Sequence, residues 1–307
     1  MKNLAPIILY VYNRVDTTAQ TIEHLLRNPL AQESELYIFS DGGRDEQSWE
    51  AVNKVRDYLK TIEGFKAVHI IERPCNYYLE RNVIEGIAEV FTHHDRIIVL
   101  EDDICTSPHF LTFMNEALDL YETEERVMHI SGFTNLDIPH MGDTYFTRRM
   151  TGWGWATWRN RWDKFVHFTS RSEALQGFSE EDIARITYNG NFGNLNSLDK
   201  KPIPWDICWE LALYRNRGLA LNPTQTLVRN IGLATGTHFG WKNNKIFGWY
   251  EFDRPYTTRQ LKVGGVPIEE NPEIEAYNAA ALKDHGMRYN LLGRIARRIY
   301  KLFKRKK

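Results

Sequence analysis

Over the first 130 positions, apolar residues alternate between two periods. Residues 6–12 form a short continuous apolar run, which predicts a strand covered on both faces. Asp16-Thr17-Thr18 then opens a helix carrying Ile22, Leu25 and Leu26 at helical spacing, stopped by Asn28-Pro29. A second strand is expected over 35–40, ending in the turn signal Asp41-Gly42-Gly43, and an amphipathic helix over 48–62 through Val52, Val55 and Leu59. A third strand follows at 67–71, a helix marked by Val83, Ile84, Ile87, Val90 and Phe91, and a fourth strand at 96–100. A helix over 108–121 and a fifth strand over 127–131 complete this part.

Strands alternating with helices of this length predict an α/β domain, a mainly parallel central sheet with helices on both faces. In such sheets ligands sit at the carboxyl ends of the strands, here Asn13-Arg14, Ser40-Asp41-Gly42-Gly43 and Glu101-Asp102-Asp103. No GxGxxG follows the first strand and no GxxxxGK[ST] is present, so a phosphate would have to be held by a metal and side chains. After Met150 the pattern changes. Residues 151–162 hold four of the nine tryptophans, 177–204 are polar with a short helix at 180–188, 204–217 read as a helix, and short strands are expected at 219–221 and 225–228. Residues 229–240 are glycine-rich; Gly232 and Gly236 suit a lid that closes over a ligand.

The acids at 101–103 change the picture most. Ile97-Ile98-Val99-Leu100 runs directly into three adjacent carboxylates, which repel one another and are costly to bury without a compensating cation. A divalent metal carrying a phosphorylated substrate fits, because Mg²⁺-type sites combine one or two carboxylates with phosphate oxygens. An acidic loop in water is the plainer alternative.

Charge and cysteine usage narrow the class. The three cysteines, Cys75, Cys105 and Cys208, are far apart with no CxxC pair, which speaks against a disulfide framework or structural zinc and suits a reducing compartment. Residues 1–14 read as a strand rather than a signal peptide, and no apolar run is long enough to span a membrane. Eight Lys/Arg and no acids lie within 291–307, which leaves the rest of this −1 chain at −9, a poor partner for nucleic acid. Leu292, Ile295, Ile299, Leu302 and Phe303 fall at helical spacing among those basic residues, the pattern of an amphipathic helix lying on an anionic membrane surface. A solvated basic tail is the alternative.

The ordered series Tyr12-Asn13-Arg14, Ser40-Asp41-Gly42, Glu101-Asp102-Asp103, Ser107-Pro108-His109-Phe110, Ser131-Gly132, Gly152-Trp153-Gly154-Trp155, Trp205-Asp206 and a Gly/Ser/Thr/His loop near His238 resembles the GT-A-fold nucleotide-sugar glycosyltransferases. Within them it resembles the inverting N-acetylglucosaminyltransferase I group, and the resemblance spans 6–238. It implies a Rossmann-like three-layer GT-A domain over 1–265, with a donor half at 1–132 and an acceptor half at 133–265. A connecting segment (266–290) and the C-terminal amphipathic helix (291–307) would follow. It also implies metal-dependent inverting transfer of a hexose or N-acetylhexosamine from a nucleoside diphosphate sugar, UDP first among them, to a glycan acceptor. By the habit of such enzymes the acceptor would be lipid-linked surface polysaccharide, on the inner face of a bacterial membrane.

Residue by residue, the resemblance implies that Arg14 and Asp41 hold the nucleotide, Glu101 faces the donor sugar, Asp102 the ribose, and Asp103 ligates Mn²⁺ or Mg²⁺. Arg81 or Asn82 would add a nucleotide contact, and Asp206 would be the general base. An acid in the first turn of a helix is kept ionised by the helix dipole, so the physical reading agrees for Asp206, although a mere first-turn acid would look the same. Glu210, one turn on, is the second candidate base. Trp153, Trp155 and Trp158 fit either a sugar platform or core, and His238 either a loop contact to metal or phosphate or neither. A sugar nucleotidyltransferase is the nearest rival activity, although the phosphate loop expected after its first strand is missing. A non-catalytic carbohydrate-binding protein on the same fold is the other rival.

Overall fold

A computed structural model describes residues 4–136, 138–234 and 254–288. Strands β1 (Ile7–Val11), β2 (Glu35–Ser40), β3 (Ala67–Glu72) and β4 (Arg96–Glu101) pair in parallel in the order β3-β2-β1-β4. They are joined by helices α1 (Val15–Leu26), α2 (Glu46–Leu59) and α3 (Tyr78–Val90). The strand boundaries lie within a residue of those expected from the apolar runs. Helix α2 begins where it does because Asp45 and Ser48 form a reciprocal capping box.

Alternation along the strands sorts the core into two faces. Ile7, Leu9, Ile98 and Leu100 pack with Ile22 and Leu25 of α1, Val55 of α2, and Phe113 and Met114 of α4 (Phe110–Leu120). Ile8, Tyr10, Ile97 and Val99 face the other way, onto Val83, Ile87 and Val90 of α3 and a tryptophan-rich layer. The result is the three-layer α/β arrangement expected, with each fully buried Leu, Ile or Phe contributing roughly 1.5–3 kcal/mol of apolar burial.

Beyond β4 the sheet departs from simple alternation. β6 (Val127–Ser131) does not neighbour β4; β8 (Trp155–Trp158) lies between them, antiparallel to both. β9 (Leu219–Pro223) then runs parallel to β6, and β7 (Thr144–Thr147) closes the edge antiparallel to β9, making eight strands among the described residues. No strand was expected at 144–147 or 155–158. The short β5 (Ile104–Thr106) was also unanticipated, and pairs antiparallel with β10 (Val228–Asn230).

Three small helices, α5 (Arg159–Trp162), α6 (Arg171–Leu175) and α7 (Glu180–Ile186), lead to α8 (Trp205–Arg215). α8 is buried nearly all round, between the tryptophan-rich face of the sheet and a satellite cluster containing Ala174, Ile186, Leu195 and Leu198. The segment read as a connection carries a further helix, α9 (Pro272–Arg288). No helix among the described residues is long and apolar enough to cross a membrane. The basic stretch 291–307, Gly236 and His238 lie outside the described residues.

Candidate active site

The strand order reverses between β1 and β4, and at such a switch point the loops leaving two neighbouring strands separate and leave a crevice. Tyr10 pairs with Glu101 across that boundary, so the residues that follow, Arg14 on one side and Asp102 and Asp103 on the other, face each other over it. They line a cleft of about 360 Å³ together with Asp41, Glu101, Asn82, Trp153 and Gly232.

Arg14 is held at the start of α1 because its carbonyl accepts from the Thr18 N–H at 3.1 Å and from the Thr18 hydroxyl at 2.7 Å. From there its Nη2 donates to Asp103 Oδ2 at 3.0 Å and to Asp102 Oδ1. Asp102 and Asp103 are buried, yet Asp102 Oδ2 and Asp103 Oδ1 have no hydrogen-bond partner, nor has Arg14 Nη1. Burial pushes the Asp102 carboxyl up to about 6 even against the Arg14 charge. Burial, and then the charges of Asp103, Asp102 and Asp206, push Glu101 up to about 8. One guanidinium therefore offsets only part of the negative charge.

The unpartnered carboxylate oxygens are the observation that fits a divalent cation. They are hard oxygen donors, too few for an all-protein cage but suited to an ion that also takes phosphate oxygens. Consistent with that, no group of three or more His, Cys, Asp and Glu is gathered into a metal cage among the described residues. The return of β10 seals the floor: the Asp103 carbonyl accepts from the Ile231 N–H at 2.8 Å, and Asn230 Oδ1 accepts from the Gly232 N–H at 2.8 Å. Gly232 then lies so close that a β-carbon on it would fall 2.0 Å from Asp103 Oδ2.

Asp41 leaves β2 at the same edge, buried, and its Oδ1 accepts from the N–H groups of Tyr77 at 2.7 Å and Gly42 at 2.9 Å. Burial raises its pKa and those two donors oppose the rise. The glycine after it is required by packing, since a β-carbon on Gly42 would fall 2.4 Å from the Cys75 carbonyl carbon. Turn former and cleft residue are thus both true of Asp41.

Asp206 occupies the first turn of α8, exposed, its Oδ1 accepting from the Ile207 N–H at 2.7 Å. It is near enough to Glu101 to raise that group's pKa. Trp205 anchors it by stacking on Trp155 with ring centroids 5.3 Å apart. Glu210 is different: buried, it accepts from Arg149 at 2.6 Å and from Asn194 at 3.2 Å, so both oxygens are engaged.

Of the residues singled out from the sequence, Arg14, Asp41, Glu101, Asp102 and Asp103 come together in the cleft. Arg81 does not. It is exposed on α3 and pairs with Glu85 at 2.7 Å, while its neighbour Asn82 is buried and lines the cleft. Trp155 and Trp158 are core, and Trp153 alone of the three reaches the cleft. Arg44, Asn76, Tyr78 and Asn230 line it unannounced; Arg44, just beyond Asp41-Gly42-Gly43, was the one with a sequence signal.

Residues 7–130 match the family described as Glycosyl transferase family 2, and so carry a glycosyltransferase domain. The chain is also similar to an alpha-1,3-mannosyl-glycoprotein 2-beta-N-acetylglucosaminyltransferase of Arabidopsis thaliana, 25% identical over 174 residues, covering 52% of this chain and 39% of that protein. The chain thus spans about two-fifths of that relative's length. Among solved structures it is similar to the mannosyltransferase PcManGT of Pyrobaculum calidifontis, solved with GDP-Man and Mn²⁺, with a TM-score of 0.40 and 11% identity over 69% of this chain and 70% of that one. It is also similar to the UTP-bound UGPase of Acinetobacter baumannii, with a TM-score of 0.36 and 10% identity over 79% of this chain and 95% of that one.

Proposed function

We propose that this chain, with its family 2 glycosyltransferase domain over residues 7–130, transfers a hexose or N-acetylhexosamine from a nucleoside diphosphate sugar to a glycan hydroxyl, with inversion and with a divalent metal. The observation that carries the reading is the pair of buried carboxylates at the β1/β4 switch point, each with an unpartnered oxygen and sharing one guanidinium. Asp103, backed by Asp102, would hold Mn²⁺ or Mg²⁺. A cation bound there supplies neutralisation of the charge developing on the leaving diphosphate.

The chain's own residues do the rest. Arg14 has a second guanidinium nitrogen left over for a phosphate oxygen, and Asp41, buried on the far side of β1, supplies an acceptor for the N–H edge of a uracil. Glu101 lines the same cleft and would face the donor sugar. Asp206 takes the proton of the acceptor hydroxyl; exposed at a helix N-terminus, it is accessible to the incoming sugar and favoured as an anion. UDP as donor nucleotide, a lipid-linked acceptor and docking of 291–307 on an anionic membrane belong to the same proposal, the last supported by the eight basic residues of that stretch.

Calorimetric titration with UDP, GDP and dTDP, with and without Mn²⁺, tests it. UDP is expected to bind only with Mn²⁺ present. Metal-independent binding, or none, overturns the metal assignment.

A further inference from the structure

A second cleft, of about 280 Å³, opens beside the first, and Tyr78 lines both. Tyr78 is 54% exposed and has a positive φ of 58°, a conformation a bulky residue adopts only when its surroundings impose it. Here its N–H donates to Asn76 Oδ1 at 3.3 Å and the Arg44 guanidinium lies 4.8 Å from its ring centroid. The ring thus lies where the two clefts meet.

The far wall of the second cleft includes His167 and Pro202. His167 Nε2 donates to the Ile203 carbonyl at 2.8 Å, tying this wall to the segment that enters α8. Asp206 follows Pro202 by only four positions. One side of the cleft therefore adjoins the first cleft through Tyr78, and the other belongs to the segment that runs into α8.

The lining carries the chemistry of carbohydrate recognition. The Arg81 guanidinium lies 3.7 Å from the Tyr77 ring centroid and is fixed by Glu85 at 2.7 Å, with Glu80 alongside. The Tyr77 ring already carries Arg81 and, at 5.1 Å, Arg73. It is therefore the 54% exposed Tyr78 ring that offers an aromatic surface to sugar C–H groups, while planar groups already held in place hydrogen-bond the hydroxyls at little ordering cost. Two glutamates against one arginine leave no surplus positive charge for a phosphate or carboxylate. Resting on the donor reading above, we propose that this cleft binds the terminal uncharged sugar residue of the acceptor glycan, with Tyr78 dividing donor from acceptor. Arg81, a nucleotide contact by resemblance, is on this view an acceptor contact.

The probes are the methyl β-glycosides of glucose, galactose, mannose, N-acetylglucosamine and N-acetylgalactosamine, observed by saturation-transfer NMR with protein holding UDP and Mn²⁺. At least one is expected to bind the wild type, with Arg81→Ala and a cleft-filling Ile84→Trp each weakening it at least tenfold. UDP affinity, measured by calorimetry, is expected to stay unchanged in Arg81→Ala. The proposal is overturned if no glycoside binds the wild type, if Arg81→Ala binds it as tightly, or if Arg81→Ala weakens UDP instead. Arg81 is exposed, so its variant folds even where Ile84→Trp does not. Failure of UDP to bind the wild type would instead remove the donor reading, and glycoside binding is then scored on protein with Mn²⁺ alone against the same outcomes.

Discussion

Arg14 Nη2 lies 3.0 Å from Asp103 Oδ2, and the same nitrogen also donates to Asp102. A single cation thus holds two buried carboxylates. Replacing it by methionine leaves them uncompensated, at a cost of about 3 kcal/mol, the low end for breaking a buried pair because the Arg14 side chain is 28% exposed. A metal ion at the same carboxylates would replace the lost charge. Thermal unfolding of Arg14→Met is therefore expected to show a larger Mn²⁺-induced rise in Tm than wild type. Equal rises would mean that Arg14 does not balance these acids.

Gly232 offers a way to disturb the carboxylates without touching their charge. A β-carbon there would lie 2.0 Å from Asp103 Oδ2 and 2.9 Å from Asp103 Cβ, so Gly232→Ala must push the side chain aside. Mn²⁺-dependent UDP binding is expected to weaken at least tenfold, with Tm lowered by only a few degrees because the site lies off the main sheet. Undiminished metal-dependent binding would place the metal contact away from Asp103.

Much of this cleft was legible in the chain because strand ends are abrupt. Ile97 to Leu100 cannot continue as a buried strand through three acids, so the acids were legible as a strand end. That Arg14 meets Asp103 there follows from the pairing of β1 with β4, which the chain pattern left open. On α3 the distinction was there to be read. Asn82 shares the face of Val83 and Gly86, whereas Arg81 pairs one turn on with Glu85, on the solvent side. Trp155-Ala156-Thr157-Trp158 alternates like a strand, but four clustered tryptophans read equally as a binding platform. Its place between β4 and β6 depends on pairings with residues 24 to 26 and 56 to 62 positions away, which no local pattern encodes. Glu210 shows the same limit, since its partner Arg149 lies 61 residues upstream.

His129 stands at the centre of β6, fully buried. Its Nδ1 accepts from Trp209 Nε1 at 3.1 Å and its Nε2 donates to the Thr151 carbonyl at 3.2 Å, so it clips α8 to the sheet as a neutral ring. Burial lowers its pKa from the ordinary 6.5 to about 3. The unfolded chain takes up this proton below pH 6.5 and the folded chain does not, so stability falls as pH drops from 6.5 towards 3. The slope from this group approaches about 1.4 kcal/mol per pH unit. His129→Asn is expected to be less stable at pH 7, yet to lose about 2 kcal/mol less than wild type between pH 7 and pH 5 in urea unfolding. Parallel losses would show that the ring is not held neutral.

Asp206 and Glu210 sit one turn apart on α8 and should answer substitution in opposite ways. Glu210 has both carboxylate oxygens committed, to Arg149 and to Asn194, in a buried position. Glu210→Gln strips the charge that balances Arg149 and is expected to cost about 3 kcal/mol, seen as a lower Tm, with kcat of the folded fraction changed little. Asp206 is exposed in the first turn, where its charge contributes no more than about 1 kcal/mol to the helix. Asp206→Asn is therefore expected to unfold like wild type and to bind UDP and Mn²⁺ normally, while losing roughly 10²–10⁴-fold in transfer rate, the range for removal of a general base. Wild-type transfer by Asp206→Asn, or a matching loss in folded Glu210→Gln, would move the base from the first turn of α8 to its second.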